Sequence, residues 1–160
     1  MQIESLGLEV DEFVVPSGSG ATHAGFLFGL RALGCDKPVN AVCVRRDANA
    51  QRGRLVSRCQ EIADLVQAPN PVSDTDILLN DDVLAPGYGL LNPATSDAIA
   101  LAARTEALML DPVYTGKSMA GFITRAQEAP DRSLLYLHTG GGPTIFGYAT
   151  DLTEALAGVT

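Results

Sequence analysis

The feature that most limits what this chain can fold into is the alternation of strand-like and helix-like segments. Short β-rich or apolar runs at Glu12–Val15, Val39–Val44, Asp76–Leu79 and Ser133–Leu137 are separated by stretches with helical spacing. Strands divided by helices imply a mostly parallel sheet with helices on both faces, an α/β fold. The runs Ile99–Ala103 and Leu134–Leu137 point the same way, to elements buried on two sides.

The intervening segments fill in the order. Residues 3–9 read as the last turn of a helix that closes at Gly7. Residues 21–33 have apolar positions at helical spacing, with Gly34 as the C-cap. A helix of about 18 residues from Asn49 carries Leu55, Ile62, Leu65 and Val66 on one side and ends at Pro69. Thr95–Leu110 is helical, with Thr95 or Ser96 as N-cap, and Pro112 disfavours helix at Asp111. Lys117–Glu128 and the tail from Asp151 are further helices. The polar, glycine-rich stretch NDDVLAPGYGLLNPATSD contains no strong element and is a surface excursion or a functional loop.

Composition bounds the function. The 160 residues suffice for one domain with a real core, and 46 % apolar residues exclude a disordered tail. A net charge of −8, from 11 Lys and Arg against 19 Asp and Glu, argues against a nucleic-acid binder. A local positive patch is still expected where arginines gather, over Arg45–Arg58. No 18-residue apolar stretch exists and the N-terminus is acidic, so neither a membrane span nor a signal segment is expected, and the expected location is the cytoplasm. Cys35, Cys43 and Cys59 form no CxxC pair and read as small buried hydrophobes in a reducing compartment. The two histidines show no ligand spacing, so no metal is expected.

Two glycine-rich turns follow strands directly, which puts both on the rim where α/β sheets bind ligands. In SGSGAT, Gly18 and Gly20 permit close backbone approach, and the N–H groups around Ser19, Ala21 and Thr22 converge at a helix start that favours an anion. No Gly-Lys-Ser/Thr follows, and His23 stands where a dinucleotide fingerprint needs its third glycine. A lone phosphate suits the loop better than a nucleotide; a plain tight turn meets the same pattern. Tyr88 in PGYG and Tyr114 in PVYTG sit on loops where a ring can stack on a planar ligand or donate a phenol proton. In HTGGG, Thr139 and Gly140 lie just past a strand, where the threonine could bond a ring nitrogen, while His138 suits a half-buried, satisfied histidine. Lys117 reads as a solvated or ion-paired residue at a helix start.

SGSGATHAGFLFGLRALG, PGYG, AARTEALMLDPVYTGKSMAGFI and LYLHTGGGPTIFGY occur in this order. Together they resemble the pyridoxal-phosphate-dependent D-cysteine desulfhydrases and 1-aminocyclopropane-1-carboxylate deaminases. The resemblance implies the large cofactor-binding domain of the tryptophan-synthase-β type, fold type II. It implies pyridoxal 5′-phosphate as cofactor, with Gly18, Ser19, Gly20, Ala21 and Thr22 at its phosphate and Thr139 and Gly140 at its ring. It makes Tyr88 and Tyr114 the catalytic tyrosines. Thr115 stands where the deaminase branch carries glutamate, which tilts the resemblance toward β-elimination from D-cysteine; 1-aminocyclopropane-1-carboxylate and L-cysteate remain alternative substrates.

Family members are about twice as long, as two domains require. Residues 1–160 are therefore expected to form one domain, the C-terminal part of the large domain, without the small domain or the opening segment. The lysine that bonds to the cofactor belongs to that other part. Of two lysines, Lys37 lies in an acidic connector and Lys117 belongs to the YTGK motif, so neither is expected to serve. The implied partners are a small amino-acid substrate and either further copies of the chain or a complementary N-terminal half. A binding or interaction module without catalysis is the reading from another class.

Overall fold

The computed structural model describes residues 2–157. In chain order the elements are α1 (Gln2–Ser5), β1 (Glu12–Ser17), α2 (Ala21–Ala32), β2 (Val39–Cys43), α3 (Ala48–Val66), β3 (Leu78–Asn80), α4 (Pro93–Glu106), α5 (Thr115–Glu128), β4 (Leu134–Tyr136) and α6 (Ala149–Leu156). Short 3-10 turns cover Asp74–Asp76 and Gly142–Tyr148.

The four strands are all parallel, in the order β3-β2-β1-β4. Chain direction across the sheet reverses at β1, since β2 and β3 lie on one side of it and β4 on the other. Side chains alternate along β1 and sort the core into two layers. Phe13 and Val15 pack with Ala24, Leu27, Leu30, Leu55 and Cys59 from α2 and α3. Val14 and Val42 pack with Ala98, Ile99, Ala102, Met119 and Leu152 from α4, α5 and α6. The approach of α5 to β2 is closed by Gly121, where a Cβ would lie 2.7 Å from Val42 Cγ2.

Several boundaries differ from expectation for local reasons. Helix α4 starts at Pro93, because the Asn92 side chain accepts from Thr95 N at 2.8 Å, so Asn92 is the cap rather than Thr95 or Ser96. It stops at Glu106, with Ala107 left-handed, rather than at Leu110. Strand β3 begins later than Asp76, since Ser73 and Asp76 bond reciprocally in a 3-10 turn. Leu65 and Val66 do not join the core, being 82 % and 52 % exposed. The buried stripe of α3 runs through Gln51, Leu55, Cys59 and Ala63, and Leu65 lies off it. The two runs expected to be buried on both faces are not: Leu101 is exposed, and β4 is half-buried as an edge strand. Cys43 and Cys59 are buried as expected, and burial pushes their thiols up to about 12 and about 11. No helix among the described residues is long and apolar enough to cross a membrane, and none of their His, Cys, Asp and Glu side chains form a metal-binding cluster.

One buried charge braces the sheet at the start of β1. Glu12 accepts from Arg125 Nε and Nη2 at 2.9 and 2.8 Å, from Arg132 Nη1 at 3.1 Å, and from Asn40 Nδ2 at 3.3 Å. Burial alone would raise its carboxyl, but bonds and charge from Arg125, Asn40 and Arg132 outweigh it and hold it below the ordinary 4.5. Its contribution is therefore whole above pH 4.5 and is lost as pH falls through the depressed value. Glu12→Ala is expected to remove about 2 kcal/mol of unfolding free energy at pH 7. Urea unfolding measures this, and the loss should shrink in acid.

Candidate functional site: a cleft at the carboxyl ends of the strands

The loops after β1, β2 and β4 meet at one end of the sheet, beside β1, where the chain direction reverses. Open α/β sheets bind ligands at such a point. A cleft of about 290 Å³ opens there, lined among others by Gly18, Ser19, Gly20, Thr22, His23 and Arg45, by Tyr88 and Tyr114, and by Thr139, Gly140 and Gly141. Every residue expected at the site is thus in the cleft wall except Ala21, which is exposed at the first position of α2.

The loop after β1 is held with its carbonyls turned away from the cleft. Arg46 Nη1 donates to Gly18 O at 3.0 Å, Gln51 Nε2 donates to the same oxygen at 3.3 Å, and Arg54 Nε donates to Ser19 O. Gly20 sits at φ +87, a conformation that suits glycine, and initiates α2. The first N–H groups of α2 have no partner within the helix. Ser19 and Thr22 add hydroxyls.

A relay beneath the loop sets the proton on His23. Gln51 is oriented by Arg46, which donates to its Oε1 at 3.5 Å, so its Nε2 donates to Ser17 Oγ at 2.8 Å. The Ser17 hydroxyl then donates to His23 Nδ1, 3.1 Å away. The imidazole proton is left on Nε2, a buried atom with no acceptor among the described residues. Burial lowers the ring to about 4, so it is neutral near pH 7. The wall therefore offers donors and a positive helix end while its nearest carbonyls are tied back. That set fits a phosphate ester, and it fits the phosphate end of pyridoxal 5′-phosphate.

The aromatic part of the wall adjoins the loop, with the Tyr114 ring 3.5 Å from where a Cβ on Gly18 would lie. Tyr88 and Tyr114 share a hydrogen bond between their hydroxyls, with ring centroids 6.0 Å apart at 61°. The Arg45 guanidinium stands 5.3 Å above the Tyr88 ring. The hydrogen bond shared with Tyr88 raises the Tyr114 phenol above its usual range, aided by burial and by Asp111 and opposed by Arg45. Tyr114 is thus protonated at neutral pH.

Behind it, the wholly buried Asp111 carboxylate accepts from the backbone N–H groups of Val113, Tyr114 and Thr115 at 2.7–2.9 Å and from the Thr115 hydroxyl at 2.6 Å. Gly141 packs against it, at φ +106, where a Cβ would lie 2.5 Å from Asp111 Oδ2. Thr115 is therefore bound to Asp111 and does not line the cleft. His138 is exposed, not half-buried, and Thr139 is exposed beside it. Lys117 departs furthest from expectation. It is wholly buried, and its Nζ donates to Leu84 O and Gly87 O at 2.8 and 2.6 Å.

Of the arginine patch expected over Arg45–Arg58, Arg45, Arg46 and Arg54 stand at the loop, whereas Arg52 donates to Asp74 O and Ile77 O and Arg58 pairs with Glu61. The parts taken by Arg46, Gln51, Arg54 and Asp111 carried no local signal.

With this geometry, the chain belongs to the family of pyridoxal-phosphate-dependent enzymes, whose family model matches residues 1–154. The fold is that of fold type II, and the family's cofactor is pyridoxal phosphate. Among its relatives are the D-cysteine desulfhydrases of Salmonella paratyphi C (strain RKS4594) and Salmonella choleraesuis (strain SC-B67). Each is 43 % identical over 138 residues, covering 84 % of this chain and 41 % of the relative. A solved structure of an ACC deaminase homologue superposes with a TM-score of 0.82 at 30 % identity, over 91 % of this chain and 44 % of that one. The chain thus spans well under half the length of these relatives.

Two outcomes follow for the free chain. Gly20→Ala forces a side chain into the left-handed region against Leu55 and is expected to lose about 1 kcal/mol of stability. Its affinity for inorganic phosphate, measured by calorimetry, should fall about tenfold, the equivalent of one hydrogen bond. Nitrogen NMR should find His23 neutral and protonated on Nε2 down to about pH 4. The unfolded chain takes that proton near 6.5, so the His23 contribution is present above 6.5 and declines as pH drops toward 4.

Proposed function

We propose that this chain forms the phosphate-gripping and aromatic wall of a pyridoxal-phosphate site that acts on a small amino acid. The reaction of the assembled site is β-elimination from D-cysteine to pyruvate, ammonia and sulfide. The observation that supports the reading is that the donor-rich cradle of Gly18–Thr22 and His23 shares one cleft wall with the Tyr88–Tyr114 pair, Tyr114 lying against Gly18.

When bound, the cofactor supplies an electron sink for negative charge at the carbon beside the amine. The chain's own residues place and surround it. Gly18, Ser19, Gly20, Ala21 and Thr22 would hold the phosphate with backbone N–H groups and hydroxyls, with His23 Nε2–H as a further donor. Thr139 and Gly140 would stand at its ring. Tyr114, protonated at neutral pH, donates its phenol proton or holds a water out, and Tyr88 forms the face next to it. Arg45, which stands over the Tyr88 ring and has no acid partner among the described residues, offers its positive charge to a substrate carboxylate.

Neither lysine lines the cleft: Lys117 is clamped elsewhere and Lys37 is exposed on a connector. That supports assembly with a complementary segment that carries the covalent lysine. The sheet edges at β3 and β4 and the exposed Phe146 provide apolar surface for such pairing.

Titration of the chain with pyridoxal phosphate, followed by its absorbance, should show binding that inorganic phosphate competes away. With D-cysteine added, the chain alone should release little or no sulfide, and a lysine-bearing partner segment should raise the release. Vigorous turnover by the chain alone, or binding indifferent to inorganic phosphate, would overturn the reading.

A further inference from the structure

Lys117 has no part in the cleft wall, yet it is one of the largest wholly buried side chains of the protein. Fully buried lysines are rare, and they normally face a carboxylate. This one pairs with no acid among the described residues; its ammonium is satisfied by the carbonyls of Leu84 and Gly87. An apolar side chain of similar length would fill the space without taking a charge out of water. What the ammonium adds is direction: two donors aimed at two points of an irregular segment.

Those two points frame the turn that ends at Tyr88. Lys117 stands three residues after Tyr114, so one turn of α5 presents both a ring and an ammonium to the same loop. Tyr114 meets the Tyr88 hydroxyl, and Lys117 holds the backbone just before it. The far side of the loop is tied as well, since the Tyr148 hydroxyl donates to Gly89 O at 2.7 Å. Tyr88 itself remains 44 % exposed, so packing alone does not hold its ring in place.

We propose that Lys117 is a positioning residue that clamps the Leu84–Gly87 turn and thereby sets the Tyr88 hydroxyl against Tyr114. Its importance to the reaction rests on the function proposed above, but the clamp exists without cofactor and is tested without it.

The chain has two lysines, which gives an internal comparison. In nitrogen NMR of the unmodified chain, Lys117 Nζ should exchange its hydrogens slowly and couple to the carbonyl carbons of Leu84 and Gly87, while Lys37 does neither. Fast exchange at both lysines would overturn the clamp, whatever the fate of any variant.

The positioning role is read from the tyrosines. The groups that face the Tyr114 hydroxyl or act on it are Tyr88, Asp111 and Arg45. In Lys117→Met, carbon NMR should find the Tyr114 titration midpoint lower by about one pH unit, a tenfold change in its acidity. The same change made on top of Tyr88→Phe should leave the midpoint where Tyr88→Phe alone puts it. An unchanged midpoint in Lys117→Met, or an equal shift in both backgrounds, would overturn the proposal. Failure of the unmodified chain to bind pyridoxal phosphate would instead count against the function proposed above and leave this result standing.

Discussion

The buried carboxylate of Asp111 is the contact on which the arrangement of the cleft depends. It takes three backbone N–H groups and one hydroxyl at the head of α5, where the free N–H groups of a helix most favour an anion. That fixes where α5 begins and so where Tyr114 and Lys117 leave it. On its other side the carboxylate lies against Gly141 and sets how closely the loop after β4 can approach. A single acidic side chain thus relates the aromatic wall, the turn carrying Tyr88 and the second glycine-rich loop to one another.

The first glycine-rich loop is organised from the opposite direction. A loop of this length carries as many carbonyls as N–H groups, and the helix start at its end does not by itself remove those acceptors. Its polarity comes from α3, whose Gln51 and Arg54, with Arg46 just before it, bind the Gly18 and Ser19 carbonyls. Once the acceptors are tied back, what faces the cleft is N–H, hydroxyl and the His23 donor. The family to which the chain belongs uses a phosphorylated cofactor, and the cradle suits that chemistry through side chains that never line it.

Much of this was legible in the residues themselves. The succession of strands and helices along the chain, the mostly parallel sheet and the meeting of both glycine turns on one rim follow from local periodicity and from Gly and Pro punctuation, which act over a few residues. Tyr88 and Tyr114 stood out as candidates because each stands in a glycine- and proline-marked loop, and the family resemblance gave them their implied role. The Lys117 clamp was not, because its partners are backbone carbonyls 30 and 33 residues away, which leave no mark on the sequence. Gln51 and Arg54 were hidden for the same reason, at separations of 33 and 35 residues from the loop oxygens they hold. The exposure of Leu65 and Val66 depends on where the last turn of α3 falls against the sheet, which periodicity does not encode. Asn92 before Pro93, by contrast, was a readable helix start, and the nearby threonine and serine obscured it.

The arginines around the first loop also act beyond contact range. The chain is acidic overall, at −8, yet Arg45, Arg46 and Arg54 stand close together: desolvation first, and then the charges of Arg45 and Arg54, lower the basicity of Arg46. Arg46 and Arg54 donate to loop carbonyls, which leaves their charge in place while using their hydrogen bonds. An approaching anion therefore meets repulsion over most of the surface and attraction at one mouth. Such a field acts on the rate of encounter more than on the final hold, and salt weakens it over a Debye length of about 8 Å at physiological ionic strength. Lower ionic strength lengthens the reach of both parts of that field, the repulsion from the acidic surface and the attraction at the arginines.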